Sequence, residues 1–389
     1  ITMSSAKKPL TFSLTATGGN GTYTYSLVST DPQSTISNNI ITFTPSTSGT
    51  ATIQYQGTDS NGGKSAVGSI TVTVNTAIAA NPVSGGQFTP GSPNETYNVT
   101  LTGGDKPVLT GASVVVSGNG SVTFDATAGT ITYSPPAAPS SLLKVATPVT
   151  INFTAGDNFG GNYTGSFTIS LNDKIVVTPS ATTGSIDIGE TPLTFTLSAS
   201  GGNGTYTYSL VSTDSQSNIS GNIITFTPST SGTANIQYKA TDSIGGYSAV
   251  GTIVVTVYPT VVPTPPANVQ VTPGASSNTW TIPLSGGNDP YIASVEPIDP
   301  SYGTIELNKD GTITYTPPVV VSKKLASELV KGSKSVTITY VIKDKTGAIY
   351  TKTFTITLYD PIVVTSSAYT GEITMSSAKK PLTFSLTAT

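Results

Sequence analysis

Internal repeats run through this chain and govern how it can fold. Residues 9–74 align without gaps on residues 192–257, with 53 of 66 positions identical. Residues 1–17 recur without change as residues 373–389. Such repeats are typical of chains in which one folding unit occurs several times and each unit buries its own core. We therefore expect a series of similar domains rather than one body built around a single cleft.

The repeats define two kinds of segment, which we call A and B. The two long matching stretches are A segments, and the stretches that follow them are B segments, which resemble each other at Thr89–Gly91 and Thr272–Gly274. The order A-B-A-B plus a partial A predicts domains arranged end to end. The predicted domains are a first A segment at 1–75 that lacks its first strand, a first B segment at 76–173, a second A segment at 174–257, a second B segment at 258–360, and the start of a third A segment at 361–389.

The two ends of the sequence leave two modes of assembly open. Ile175–Thr178 opens the second A segment and Ile362–Thr365 opens the third, whereas the first has no such strand. A longer continuous array of repeats is the preferred interpretation. The alternative is separate subunits joined by donor-strand complementation, in which residues 362–389 of one subunit complete the first A segment of the next. The interface residues expected for that alternative are Ile362, Val363, Val364, Ile373, Leu382 and Phe384.

Alternation of apolar and polar residues predicts an all-β fold. In Ser69–Val74 the apolar side chains lie at every second position, as in a half-buried strand. About one residue in six is threonine, which suits strands and tolerates water. Short strands separated by turns at close spacing predict antiparallel β-sandwiches. The turns are expected at Asn20–Gly21, Asn61–Gly63, Asn119–Gly120 and Asn203–Gly204, and the single candidate helix at Ser322–Lys331.

The composition excludes several classes of function. The chain has no cysteine and no histidine, so a disulfide framework, a thiolate nucleophile and a histidine base are excluded. Each of the 17 basic residues is lysine, and without arginine a nucleic-acid partner is not expected. No run of 18 apolar residues occurs, so membrane insertion of this segment is not expected. The carboxylates are scattered and no phosphate-binding loop is present, which predicts that the chain is not an enzyme.

The A segments carry a recognisable pattern of residues. It comprises Gly18–Leu27, then Ile41–Pro45, then Thr58–Gly63 before a closing strand. This pattern resembles the tandem immunoglobulin-like and cadherin-like repeats of large bacterial and archaeal surface adhesins and extracellular filament proteins. The B segments look like more divergent relatives. The resemblance implies immunoglobulin-like β-sandwiches in an extracellular, cell-surface protein whose partners are other copies or repeats of itself.

Aspartates are the candidate metal ligands. One lies in the last hairpin of each A and B segment, where it is either a calcium ligand or the residue that accepts backbone N–H bonds in a turn. We favour the turn role, because no loop has the dense acidic pattern of a calcium site, and the acidic clusters of cadherins are not evident either. Asp173 and Asp360, at the B-to-A junctions near Asp187 and Glu372, are the remaining calcium candidates. No other cofactor is expected.

The expected function is structural. The chain is predicted to be the repeat region of a long extracellular filament or stalk, a protein fibril whose domains are rigid spacers able to self-assemble or bundle. The alternative is a cell-adhesion protein that binds a glycan or a host protein through exposed loops. In that alternative Tyr23 and Tyr25 would form a sugar platform, whereas core burial is the simpler role for them.

Overall fold

The computed structural model describes most of the chain. Two expectations fall outside the described residues: the candidate helix at Ser322–Lys331, and the interface residues Val363, Ile373, Leu382 and Phe384. The described residues are 1–3, 9–29, 31–81, 83, 85–138, 147–211, 215–319, 332–362, 364–366, 383 and 385–388.

The chain packs into two compact units. The first unit consists of Ile1–Pro179, Leu197–Val211 and Tyr238–Gly251. The second unit consists of Ser180–Thr196, Ser212–Gln237 and Thr252–Thr389. The first unit thus contains the first A and first B segments and part of the second A segment. The predicted boundaries of the individual domains stay a prediction.

The first A segment is a sandwich of two antiparallel three-stranded sheets. One sheet has the order β1-β4-β3 and the other the order β2-β5-β6. Ile41, Phe43 and Ile53 are fully buried between them. The strands are β1 (Leu10–Ser13), β2 (Tyr23–Leu27), β3 (Ser34–Ser37), β4 (Ile40–Phe43), β5 (Gly49–Asp59) and β6 (Gly68–Val74).

The first B segment has its own core. Its main sheet has the order β11-β14-β15-β8 with β8 parallel to β15, and a second sheet has the order β12-β13-β9. Leu109, Ile131, Tyr133 and Ile151 are buried between them. The strands are β7 (Ala79–Ala80), β8 (Gln87–Phe88), β9 (Glu95–Asn98), β10 (Leu101–Thr102), β11 (Val108–Val114), β12 (Ser121–Asp125), β13 (Thr130–Ser134), β14 (Thr147–Gly156) and β15 (Asn162–Leu171).

The second A segment contributes strands to both units. Its strands are β16 (Val176–Pro179), β17 (Thr183–Asp187), β18 (Leu193–Ser200), β19 (Tyr206–Leu210), β20 (Ser217–Ser220), β21 (Ile223–Phe226), β22 (Gly232–Asp242) and β23 (Gly251–Tyr258). Within the first unit, β16 pairs with the end of β18, and β19 pairs with the end of β22. Within the second unit, β17 runs parallel to β23, and β21 lies between β18 and β20.

The second B segment repeats the plan of the first. A sheet of order β25-β32-β31-β28 faces a sheet of order β26-β30-β29 around buried Ile313, Tyr315, Ile338 and Ile356. A short antiparallel pair, β33 with β34, follows in the third A segment. The elements are β24 (Val262–Pro263), β25 (Val269–Val271), β26 (Asn278–Trp280), β27 (Leu284–Ser285), β28 (Tyr291–Val295), a 3₁₀ turn (Pro300–Tyr302), β29 (Thr304–Leu307), β30 (Ile313–Thr316), β31 (Lys334–Lys343), β32 (Ile349–Leu358), β33 (Val364–Ser366) and β34 (Leu386–Ala388).

The prediction of an all-β fold with immunoglobulin-like sandwiches is confirmed. The alternation read in the sequence is the alternation of burial: in β23, Ile253, Val255 and Val257 are buried and the residues between them are not. Burying one such side chain contributes about 1.5–3 kcal/mol. In the described part of the chain, no helix has the length and hydropathy needed to cross a bilayer.

The predicted turns are confirmed by the backbone angles. Gly21, Gly62, Gly120 and Gly204 have φ values between 85° and 96°, which side chains with a Cβ rarely adopt. Gly62 lies between β5 and β6, which are antiparallel neighbours in one sheet. Gly21, Gly120 and Gly204 lie instead where the chain passes from a strand of one sheet to a strand of another.

Candidate functional site

The hairpin aspartates act as turn residues, as favoured from the sequence. Asp59 ends β5, and its Oδ1 accepts the backbone N–H groups of Asn61 at 3.0 Å and Gly63 at 2.7 Å. Asp242 ends β22 and accepts in the same way from Ile244 at 3.2 Å and Gly246 at 2.8 Å. One carboxylate oxygen thus holds the turn together, which leaves the second oxygen available to another partner.

At three of the four hairpins, the aspartate also contacts the preceding segment. Asp242 Oδ2 accepts the hydroxyl of Thr89, from the first B segment, at 2.6 Å. Thr89 is completely buried and accepts the side-chain amide of Asn172 at 3.1 Å. Gln87 in turn donates to Asn172 Oδ1 at 3.0 Å. A chain of buried and partly buried hydrogen bonds therefore links the end of the first B segment to the second A segment.

The first A and first B segments meet through Asp157. The Thr2 hydroxyl donates to Asp157 Oδ2, as does the backbone N–H of Asp105 at 2.9 Å, and the backbone N–H of Gly161 donates to Oδ1 at 2.6 Å. Burial raises the pKa of Asp157, but these hydrogen bonds outweigh burial and hold its pKa below the ordinary value. The carboxylate is therefore the stable form at neutral pH.

A pair of carboxyl groups lies between the second A and second B segments. Asp187 is completely buried, and Tyr350 donates its hydroxyl to Asp187 Oδ2 at 2.8 Å. Thr346 Oγ lies 2.5 Å from Asp344 Oδ1 and 3.3 Å from Asp187 Oδ1. The backbone N–H of Asn288 donates to Asp344 Oδ2 at 2.8 Å. Two acidic side chains from adjacent segments therefore share one hydrogen-bond network.

The pKa values of the two carboxyl groups of this pair are shifted in opposite directions. Burial, together with the neighbouring Asp344, raises the pKa of Asp187. Burial also raises the pKa of Asp344, but hydrogen bonds from Asn288, Thr346 and Asp187 outweigh it and leave the pKa lowered. This combination indicates that, as the pH falls, Asp187 is protonated before Asp344. The protonated Asp187 then donates a hydrogen bond to the ionised Asp344. The same burial and the contact with Asp187 raise the pKa of Tyr350.

The two calcium candidates have different surroundings. Asp360 Oδ2 accepts the backbone N–H of Gly332 at 3.1 Å. Asp173 Oδ1 is buried without a hydrogen-bond partner among the described residues. Within the described ranges no cluster of three or more acidic residues could hold a metal ion, and Glu372 lies outside those ranges. A calcium role for Asp173 and Asp360 therefore stays a prediction.

Two of the expected interface residues are described, and both are exposed. Ile362 is 69% exposed and Val364 is 51% exposed. Val364 belongs to β33, which pairs with β34 so that Val364 faces Ala388 and Ser366 faces Leu386. In the second A segment, Val177 faces Ala199 and Pro179 faces Leu197, which are the corresponding residues in the same register. The segment after the second B segment thus forms the opening strand pair of an A segment.

The paired tyrosines are half-buried rather than displayed as a flat platform. Tyr206 and Tyr208 lie with their ring centroids 6.5 Å apart, and the hydroxyl of Tyr206 donates to the carbonyl of Gly201 at 2.5 Å. Tyr23 makes the corresponding bond to the carbonyl of Gly18. These rings therefore anchor the loop that precedes their strand.

Sequence reasoning did not find the residues that meet the aspartates. Thr2, Thr89 and Tyr350 are single hydroxyl residues in a chain rich in such residues, and only tertiary contact distinguishes them. In the sequence, Asp187 stands out only as a near neighbour of Asp173. One signal was available for Thr89, because the Thr-Pro-Gly motif at 89–91 recurs at 272–274 in two segments that are otherwise divergent.

Known proteins resemble this chain at the level of the immunoglobulin-like fold. Residues 259–357 match the family model of the bacterial Ig domain, and this stretch lies within the second B segment. The resemblance to bacterial immunoglobulin-like repeats is confirmed by this match, which covers about a quarter of the chain. No curated protein matches the chain.

Several solved structures of tandem domains are similar to the chain. The extracellular domain of protocadherin GammaB4 has 12% identity and a TM-score of 0.28, over 88% of this chain and 62% of that chain. Drosophila N-cadherin has 12% identity and a TM-score of 0.27, over 90% of this chain and 94% of that chain. A structure of three Ig domains of titin has 13% identity and a TM-score of 0.34, over 72% of this chain and 98% of that chain. Because these TM-scores are below 0.5, the fold assignment rests on the strand pairings and the family match.

Proposed function

We propose that this chain is the structural repeat region of a long extracellular, cell-surface filament or stalk, in which immunoglobulin-like segments act as rigid spacers that self-assemble or bundle. The observation that carries the proposal is the repeated use of one hairpin aspartate to bind the preceding segment. Asp157 and Asp242 accept a threonine hydroxyl of the preceding segment, and Asp344 forms a side-chain hydrogen bond with Asp187 of the preceding segment. A repeated junction of this kind suits a load-bearing series of domains better than an isolated binding site.

The junction contacts resist bending because they are buried. Leaving a buried donor or acceptor unpaired costs about 1–3 kcal/mol, and more when the group is charged. Thr89 and Asp187 are both completely buried, so separating adjacent segments would have to expose or orphan them. The connections are also short: only Asn172–Lys174 lie between β15 and the opening of the second A segment. Both features favour a fixed angle between neighbours.

The outer faces carry hydroxyl pairs in place of charges. Thr96 and Thr132 are hydrogen-bonded across neighbouring strands at 2.9 Å, and Thr279 and Thr314 at 2.8 Å, all on the exposed side. Among the described residues there is a single ion pair, between exposed Lys345 and Asp289 at 2.7 Å. Surfaces with little net charge lack the repulsion that keeps proteins apart, which supports lateral bundling.

Electron microscopy of the native protein tests the proposal. We expect filaments with a regular axial repeat that reflects the A-B alternation, and an intact polypeptide mass from the native source that distinguishes a continuous array from separate subunits. Isolated flexible beads without an axial repeat would contradict the filament. Specific binding on a glycan array, with no filament in the same preparation, would instead favour the adhesin alternative.

A further inference from the structure

The hydrogen-bond chain at the end of the first B segment places a hydroxyl, a carboxylate and an amide side by side. Thr89, Asn172 and Asp242 are respectively 0%, 8% and 5% exposed. Thr89 follows β8 and Asn172 follows β15, and the backbone N–H of Asn172 donates to the carbonyl of Phe88 at 2.7 Å. The parallel pairing of β8 with β15 thus brings together two side chains that are 83 residues apart in sequence.

Asp242 is placed to act as a general base on the hydroxyl of Thr89. Its Oδ2 accepts that hydroxyl at 2.6 Å. Its Oδ1 accepts the backbone N–H groups of Ile244 at 3.2 Å and Gly246 at 2.8 Å, which orient the carboxylate. A hydroxyl in hydrogen-bond contact with a base that other groups orient is the usual arrangement of an activated oxygen nucleophile.

The side-chain amide of Asn172 contains the carbonyl carbon that this hydroxyl can attack. Asn172 Nδ2 donates to Thr89 Oγ1 at 3.1 Å, and the amide carbon is one bond of about 1.33 Å from that nitrogen. The hydroxyl oxygen therefore lies within about 4.4 Å of the carbon, and side-chain rotation can shorten this to the roughly 3–3.5 Å needed for attack. Gln87 donates to Asn172 Oδ1 at 3.0 Å, and a donor there stabilises the negative charge that this oxygen gains during attack.

We propose that Thr89 and Asn172 form an intramolecular ester cross-link. The Thr89 hydroxyl gives its proton to Asp242 as its oxygen bonds to the amide carbon of Asn172. The bond from that carbon to Nδ2 then breaks, and Asp242 returns the proton to the nitrogen, which leaves as ammonia. Asp242 ends as the carboxylate that it was, so no oxidant, reductant or other co-reactant is needed. The inference goes beyond the proposed function, because the bond forms within a single chain whether or not that chain enters a filament.

The base for this reaction comes from the following segment. Asp242 belongs to the second A segment, whereas Thr89 and Asn172 both belong to the first B segment. The cross-link is therefore expected only after the two segments have folded and made their junction, and the hydrogen-bonded side chains are its reactant state. In the second B segment Tyr359 follows β32, as Asn172 follows β15 in the first. We therefore expect the cross-link in the first B segment and not in the second.

The position of the cross-link suits a domain that carries load. It joins β8, near the beginning of the first B segment, to the end of β15, the last strand of that segment. A force that pulls along the chain passes through the ester and bypasses the 83 residues between its ends, roughly 290 Å of extended chain. Unfolding of the first B segment under force is then limited to the few residues before Thr89.

Intact mass spectrometry of the full 389-residue chain tests the cross-link after the folded protein has been incubated at neutral pH. We expect a species lighter than the sequence mass by one ammonia molecule, about 17 Da, because ammonia is the leaving group. After proteolysis we expect two peptides joined through Thr89 and Asn172, which mild alkali separates because an ester hydrolyses more readily than an amide. Thr89→Val removes the nucleophile and should abolish the joined peptides, whereas Thr89→Ser keeps a hydroxyl and should retain them.

Asp242→Asn tests the base. We expect it to slow the loss of ammonia by about 100-fold or more, the lower end of what a positioned general base contributes. Asp59→Asn is the matched control, because Asp59 holds the corresponding turn of the first A segment and its replacement should leave the rate unchanged. Circular dichroism shows whether each variant is folded, and the contrast between Thr89→Val and Thr89→Ser decides the cross-link even if Asp242→Asn is unfolded.

Four outcomes would overturn the proposal. They are a wild-type mass that stays equal to the sequence mass after prolonged incubation, joined peptides at other residues, an equal loss of ammonia in Thr89→Val, and an unchanged rate in folded Asp242→Asn. An equal loss in Thr89→Val would indicate that an asparagine has closed to a cyclic imide instead. Electron microscopy tests the filament separately, so the cross-link can fail while the filament stands, and a cross-linked chain without filaments would contradict the proposed function alone.

Discussion

Thr89 illustrates how much one hydroxyl contributes at a junction. It is completely buried, donates to Asp242 and accepts from Asn172. We predict that Thr89→Val, which keeps the shape, lowers the free energy of unfolding of the junction by about 2 kcal/mol, because Asp242 and Asn172 lose a partner. Scanning calorimetry measures this loss.

The matched control for that substitution is Thr110→Val. Thr110 is exposed and donates to Thr154 Oγ at 2.9 Å, so water replaces the lost bond. Its effect should stay within about 0.5 kcal/mol, as for other surface substitutions. Equal effects of the two variants would show that the junction hydroxyl has no special role.

Asp157 should make the stability of the first unit depend on acid. Its pKa is lowered in the folded chain, so its contribution is present above the unfolded value of about 3.9 and is lost as the pH falls through the folded value. We predict that Asp157→Asn destabilises the unit by about 2 kcal/mol at pH 7, because asparagine has one acceptor oxygen instead of two. Denaturation at a series of pH values should show the difference from wild type shrinking toward pH 2, and a constant difference would contradict the assignment.

Asp187 should have the opposite pH dependence. Its pKa is raised in the folded chain, so its favourable contribution is complete below the unfolded value and is lost as the pH rises through the folded value. We predict that Asp187→Asn, which stays neutral and can still donate to Asp344, stabilises the second unit by about 1 kcal/mol at pH 7 and flattens its pH profile. Denaturant titrations at pH 4 and pH 7 test this, and destabilisation at pH 7 would contradict a raised pKa of Asp187 in the folded chain.

At the scale of elements, the same residues form a strand only where a partner is present. Leu14–Ala16 and Leu386–Ala388 have the same sequence, Leu-Thr-Ala. The first lies beyond the end of β1 and is not a strand, whereas the second is β34, paired with β33. In the second A segment the corresponding Leu197–Ala199 lies within β18 and pairs with β16. Strand formation at this position is therefore decided by the opening strand of the A segment.

A peptide should complete the first A segment. We predict that a synthetic peptide of residues 173–181, which contains β16, binds the Leu14–Ala16 edge, raises the melting temperature of the chain and protects the amides of that edge from hydrogen exchange. A peptide with Val177→Pro is the control, because proline removes a donor and disfavours a paired strand. Protection confined to other regions would mean that the edge does not accept a strand.

At the scale of the whole molecule, separate cores predict separate unfolding transitions. The first A, first B and second B segments each bury a distinct cluster, which includes Phe43, Ile131 and Ile313 respectively. We predict that Phe43→Ala lowers the stability of one calorimetric transition by about 3–5 kcal/mol and leaves the others in place. Ile313→Ala should shift a different transition, and a single transition displaced as a whole by either variant would contradict serial domains.

The sequence by itself determined the fold class, because strand alternation, asparagine-glycine turns and repeat spacing are local properties that each segment satisfies alone. It also predicted the hairpin aspartates as turn residues, since an aspartate before glycine finds its N–H partners within four residues. Only the tertiary structure decided which hydroxyl meets each aspartate and which copy of Leu-Thr-Ala becomes a strand. Those outcomes depend on groups more than 150 residues away, such as Thr89 and Asp242, or on whether a partner strand is present at all.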